Sequence, residues 1–148
     1  MQAASRWADF CEKTRDGMPS PLLISALRTP GIEGQALDLG AGGIRDTKYL
    51  LYKGLDVTAV TAEPKSVELA RELKCARLWP VELRAVQFRF EEFSFSRNEY
   101  GLINAQASLP FTHPWYFERM FKRLYGSLRE NGVFVGQFFG NRDSRCSN

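Results

Sequence analysis

Asp38 stands two residues ahead of Gly40, and Gly40, Gly42 and Gly43 leave a stretch of nearly bare backbone inside ALDLGAGGIRDTKYLL, residues 36–51. Glycines between a strand and a helix let main chain approach a ligand closely, and the helix start offers unpaired NH groups to an anion. A carboxylate at the head of such a loop repels a pyrophosphate but suits a ligand that carries positive charge. The loop ends Gly43-Ile44-Arg45-Asp46-Thr47, without the Gly-Lys-Ser/Thr ending of a phosphate cradle. Read as a dinucleotide fingerprint it starts at Gly40 and Gly42 but meets Arg45 where a third glycine belongs. Arg45 would crowd the helix against its strand, which disfavours a nicotinamide-linked dehydrogenase. S-adenosylmethionine meets the requirement, with a sulfonium and an ammonium for the acidic side and a carboxylate for the helix start. The plainer alternative is a tight turn in which Asp38 and the glycines serve the fold alone.

Two further groups could take part in chemistry. Asn104 and Gln106 are two apart in an apolar run, so a regular strand points both to one face, Gln106 being nearer the carboxyl end. His113 is the only histidine and lies in the segment SLPFTHP, where it is a candidate general base. THP directly before a long helix also reads as a cap, with Thr112 or His113 at the cap and Pro114 in the first turn. Phe111, Trp115 and Tyr116 flank the same loop and suit either an apolar acceptor wall or core packing.

The elements that must hold these residues alternate. Trp7, Phe10 and Cys11 fall at helical spacing, and residues 22–27 form a second short helix. Strands are expected at 35–39, 56–60, 83–88, 102–107 and 133–139, the third toward an edge because Arg84 and Gln87 interrupt it, the fifth buried. Helices are expected at 45–53, closed by Gly54, and from Pro64, with Val67, Ala70 and Leu73 on one face. A last helix carries Phe117, Met120, Phe121, Leu124 and Leu128 at intervals of three and four and stops at Asn131 and Gly132. Such alternation predicts an α/β fold, a doubly wound, mostly parallel Rossmann-like sheet of about five strands, with ligands bound beyond the strands' carboxyl ends.

With 148 residues the chain has room for one domain, comprising N-terminal helices at 1–34, a cofactor-binding core at 35–140 and a tail at 141–148. Its 20 basic and 17 acidic residues are scattered, so nucleic acid is not implied. Cys11, Cys75 and Cys146 lie far apart with no zinc spacing, which predicts no metal site and a reducing, cytoplasmic setting. No run approaches the roughly 18 apolar residues of a membrane span.

LDLGAGG, followed by DVTAV and an acidic-proline step, resembles the first two motifs of class I S-adenosylmethionine-dependent methyltransferases. GAGGIRDTKYLLYKGLDVTAV is similar to the small bacterial methyltransferases of the tellurite-resistance type, and INAQASLPF and GQFFGNRDS look like their fourth and fifth strand regions, so the likeness covers about residues 22–144. The resemblance implies that Asp38, Gly40, Ala41 and Gly42 hold the methionine portion of the cofactor, with Gly43 extending the loop and Arg45 and Asp46 opening the helix behind it. It implies a ribose contact at the tip of the second strand, where this chain has Thr61 in place of an acid, with Glu63 two residues on. It implies an adenine contact near Phe90, Glu91 and Glu92. The activity implied is methyl transfer to a small-molecule acceptor, an in-line displacement that needs no metal. The seven-stranded sheet of the class ends in a hairpin, which the sheet formed by these residues is expected to lack. A fifth strand left at an edge invites cover by a second copy, and a shortened, inactive or partner-dependent relative is the alternative.

Overall fold

The computed structural model describes residues 2–106, 109 and 112–138, with the side chains of 2–5 left aside. Its elements run α1 (Gln2–Thr14), α2 (Pro21–Ala26), β1 (Gln35–Leu39), α3 (Arg45–Tyr52), β2 (Asp56–Thr61), α4 (Pro64–Ala76), β3 (Leu83–Gln87), β4 (Tyr100–Ala105), α5 (Pro114–Ser127) and β5 (Leu128–Gly136). The strands form one sheet in the order β3-β2-β1-β4-β5, every neighbouring pair parallel. This is the expected Rossmann-like α/β architecture, with β3 and β5 at the edges.

Alternation along the strands sorts the core into two layers. Ala36, Val57, Ala59 and Leu102 meet Leu23 of α2, Leu50 and Leu51 of α3, and Leu69 and Ala70 of α4. Leu37, Leu39, Val60 and Ile103 turn to the other face and meet Met120 and Leu124 of α5. That second face receives no helix between β3 and β4. Phe90, Phe93 and Phe95 pack there instead, with the Phe93 and Phe95 rings edge to face at 5.1 Å.

Three expectations are corrected. The last helix ends at Ser127 rather than at Asn131 and Gly132, and Leu128 is already paired with Tyr100 in the sheet. The register then jumps, Leu102 pairing with Val133, so residues 129–132 bulge out of β5 with Asn131 left-handed at φ 63°. The fourth strand begins at Tyr100 and ends at Ala105. The fifth is not a buried strand, because at a sheet edge only its Val135 is fully covered. Ala107, Phe139 and the tail lie outside the described residues.

Helix α1 bears directly on the glycine loop. A Cβ at Gly43 would meet the Thr14 hydroxyl, the Cys11 carbonyl at 2.7 Å and the Arg15 amide at 2.8 Å. Exposed ion pairs from Arg15 to Glu72 and from Lys65 to Glu12 join α1 to α4 but contribute little on their own. The close approach at Gly43, together with the buried Cys11 of the core, is what seats the helix. Gly43→Ala is expected to destabilise the fold by ~1–3 kcal/mol through overpacking against backbone. Gly126→Ala, in the open on α5, should instead stabilise by ~0.5–1 kcal/mol. Urea unfolding of the two variants beside wild type checks the contrast.

Candidate functional site

Strand order reverses between β1 and β4, and the candidate site lies beyond their carboxyl ends. Asp38 and Asn104 are register partners there and share one face of the sheet, the face covered by α3. Thr47 lies on the inward side of α3 with Leu50 and Leu51, and Asp46 beside it is also buried.

These groups form one network. The Thr47 hydroxyl donates to Asp38 Oδ2 at 2.6 Å, and Asn104 Nδ2 donates to Asp38 Oδ1 and to Asp46 Oδ2, both at 3.0 Å. The Ser20 amide donates to Asp46 Oδ1 at 2.7 Å, and Gln106 Nε2 donates to Asn104 Oδ1 at 2.9 Å, which fixes the orientation of the Asn104 amide. Asp38 is 2 % exposed, and among the described residues no ion pair involves it or Asp46. Burial first, and the Asp46 charge second, raise the Asp38 carboxyl to about 7 against the pull of the Thr47 and Asn104 bonds.

The loop beside this network is tightly wound. Gly40 (φ 73°), Gly42 (φ 55°) and Ile44 (φ 63°) all have left-handed backbone, and Gly40 N continues the β1–β2 ladder to Val60 O at 2.7 Å. A β-branched residue in that region is strained, a feature that gathers at functional sites. Ala41 and Gly43 are buried and Gly42 is partly open, with the Phe10 ring 3.7 Å from where its Cβ would stand.

The other sequence candidates are spread around this centre. Thr61 is buried at the end of β2, its hydroxyl accepting from the Glu63 amide at 3.1 Å. Glu63 caps α4, one carboxylate oxygen accepting from the Lys65 amide at 3.1 Å. Glu91, half-buried, and Glu92, exposed, sit in a turn closed by the Glu92 amide on Arg89 O, after β3. His113 is exposed and is the cap of α5, its Nδ1 accepting from the Trp115 amide at 3.3 Å. Trp115, at 87 % exposure, and Tyr116 are not core residues. Phe111 lies outside the described residues. Cys11 is buried, and burial together with the Glu63 charge pushes its thiol up to about 11, so it is no thiolate near neutrality.

The sequence reading missed the bond from Thr47 to Asp38, the Ser20 amide on Asp46 and the seat of α1 on the loop. Thr47 carried a signal, because it falls at i, i+3, i+4 with Leu50 and Leu51 on the inward stripe of its helix. The other two depend on main chain meeting from distant segments.

The donor set fits a cationic ligand. Two buried carboxylates lack a basic partner among the described residues, and they stand beside backbone that can approach a ligand closely. A family profile described as "Methyltransferase domain" matches residues 37–136. The chain belongs to that methyltransferase domain family, and S-adenosylmethionine, the cofactor of the class, has the charge these residues require. The fold is shared with solved structures. The PH0226 protein from Pyrococcus horikoshii OT3 is 23% identical with a TM-score of 0.64, the match covering 78% of this chain and 52% of that one. An S-adenosylmethionine-dependent methyltransferase from Methanosarcina mazei is 19% identical with a TM-score of 0.68, covering 84% and 60%. A protein from Methanococcus maripaludis assigned to the same class is 18% identical with a TM-score of 0.70, covering 88% and 63%. The chain thus spans less than two thirds of each of these relatives. No curated protein matches it in sequence.

The charge on Asp38 makes a pH prediction for the ligand-free protein. Its folded value, about 7, lies above the ordinary 3.8, so the folded state keeps a proton that the unfolded chain has lost. The Asp38 contribution to stability is fully present below about 4, falls as pH rises and levels off above about 7. Unfolding midpoints of wild type and Asp38→Asn measured from pH 4 to 8 should therefore diverge, the variant gaining on wild type as pH rises. Parallel curves would rule out a proton held at this carboxyl.

Proposed function

We propose that this domain binds S-adenosylmethionine at the crevice beyond β1 and β4 and catalyses methyl transfer to a small-molecule acceptor. The observation that carries this reading is the pair of buried carboxylates, Asp38 and Asp46, with no basic partner among the described residues, beside a glycine loop at the point where strand order reverses. The cofactor supplies a methyl group already activated by its sulfonium, so placing an acceptor in line does much of the work.

In this reading Asp38 faces the positive charge of the methionine portion, while Gly40, Ala41, Gly42 and Gly43 bring main chain against it. The class places an acidic residue at the end of the second strand for the ribose hydroxyls. Here Thr61 is buried with its hydroxyl accepting from the Glu63 amide, while Glu63 is only half-buried and keeps one carboxylate oxygen beyond its cap. Glu63 is therefore the better ribose acceptor of the two. Glu91 or Glu92, after β3, stands in the region for the adenine amine.

His113 is a poor general base while it caps α5. Nδ1 accepts a hydrogen bond, so the neutral ring carries its proton on Nε2 and has no second lone pair to offer. This favours an acceptor that is nucleophilic without help, such as a thiol. The tellurite-resistance-type relationship suggested by GAGGIRDTKYLLYKGLDVTAV belongs to the same proposal. So do a single-domain organisation, a cytoplasmic setting for the free thiols Cys11 and Cys75, and cover of the β5 edge by a second copy.

Titration calorimetry with S-adenosylmethionine tests binding, and mass spectrometry of incubated thiol, amine and hydroxyl acceptors tests transfer. Wild type is expected to bind saturably and Asp38→Ala, with its circular dichroism unchanged, to lose binding. Absence of binding by folded wild type sinks the proposal, whereas saturable binding with no transfer to any acceptor class points to an inactive cofactor-binding domain. His113→Asn, which can still cap, should cost far less than the ~100-fold that removal of a general base brings.

A further inference from the structure

Asp38 and Asp46 share a single donor. The two NH groups of the Asn104 amide go one to each acid, Thr47 and the Ser20 amide occupy the remaining oxygens, and Gln106 holds the Asn104 carbonyl. All of these donors are neutral. Two like charges withdrawn from water against neutral donors are unfavourable, and the molecule relieves this by keeping a proton or by admitting a cation.

The charged groups on neighbouring elements do not supply that cation. On α3, Arg45 is exposed and lies toward Gly17. On α4, Lys65 pairs with Glu12 and Glu68, and Glu63 caps the helix. On α1 the Cys11 thiol stays neutral, and its electrostatic neighbours are Glu63, Glu12 and Lys65. β2 offers the hydroxyl of Thr61 and β4 the amides of Asn104 and Gln106, while His113 is exposed at the start of α5. Asp46 is the one charged group that acts appreciably on Asp38.

We propose that S-adenosylmethionine binding expels a proton from the buried Asp38–Asp46 pair, the positive charge of the cofactor taking the proton's place. The inference rests on the functional reading above and adds to it a pH dependence of cofactor affinity. The proton passes to solvent, and the network of Asn104, Thr47 and Ser20 stays in place because every donor in it already serves an acceptor. The ligand-free Asp38 carboxyl at about 7 places the effect within the physiological range.

The test is titration of the intact chain with S-adenosylmethionine in buffers of different ionisation enthalpy, from pH 5.5 to 7. There the ligand's own α-amine, with a pKa near 8, stays protonated. Expected is release approaching one proton per site at the acid end, with affinity rising up to about tenfold per pH unit and levelling above about 7. Asp46→Asn, which removes the like charge, should move the levelling point to lower pH. Saturable binding with no proton released, or with affinity flat across this range, overturns the inference and leaves the functional reading standing. No binding by folded wild type at any pH overturns both. The wild-type titration decides the matter even where Asp46→Asn fails to fold.

Discussion

One amide group, Asn104 Nδ2, holds two buried carboxylates together at the carboxyl end of the sheet. An acid taken from water needs a donor for its oxygens, and two such acids side by side need donors that bring no extra bulk. Asn104 meets this from β4, where it lies level with Asp38 on β1, and Gln106 keeps its amide turned the right way. The centre of the site is thus tied to the strand pair that defines the reversal of the sheet. Losing that register would leave both carboxylates short of a partner.

The elements around this centre share the positioning. Helix α3 delivers Thr47 and Asp46 from its first turn, and the loop before it turns tightly enough to need left-handed backbone at Gly40, Gly42 and even Ile44. Helix α1 lies against Gly43, where a side chain would meet its main chain, and α4 begins with the Glu63 cap beside the end of β2. The opposite face of the sheet is packed by α5 and by the aromatic segment after β3, whose Phe93 and Phe95 turn inward while Ser94 and Ser96 stay out. That face buries one side of the sheet and contributes no member of the carboxylate network.

Two further features lie at the margins of the sheet, one at the end of β2 and one on the edge strand β5. At the end of β2 the buried Thr61 turns its hydroxyl back onto the chain, where it accepts from the Glu63 amide. The parallel edge strand β5 is bulged over residues 129–132, where the Arg129 guanidinium reaches the Gly31 carbonyl at 2.9 Å. A bulge twists a strand and makes it a poorer template for an added one, one of the ways sheets protect an exposed edge. The chain spans just over half to somewhat under two thirds of the length of the three solved relatives named above.

Much of the fold was legible in the sequence, because hydrophobic period and glycine or proline punctuation are local signals. β1 was expected at the residues where it forms, Pro64 opened α4, and Arg84 and Gln87 marked β3 as an edge. The tight glycine loop after β1 was legible too, since glycines between a strand and a helix mark backbone that must turn sharply. The end of α5 was not, because an apolar Leu128 fits a helical stripe and a strand equally well until pairing with Tyr100 decides. The partners of the carboxylates were hidden for the same reason: Asp38 and Asn104 are 66 positions apart, and only strand register sets them side by side. By itself the sequence determined which residues could do chemistry. The tertiary structure decided that Asp38 and Asp46 share a donor and lack a described countercharge, because burial and pairing belong to the packed chain and not to any stretch of it.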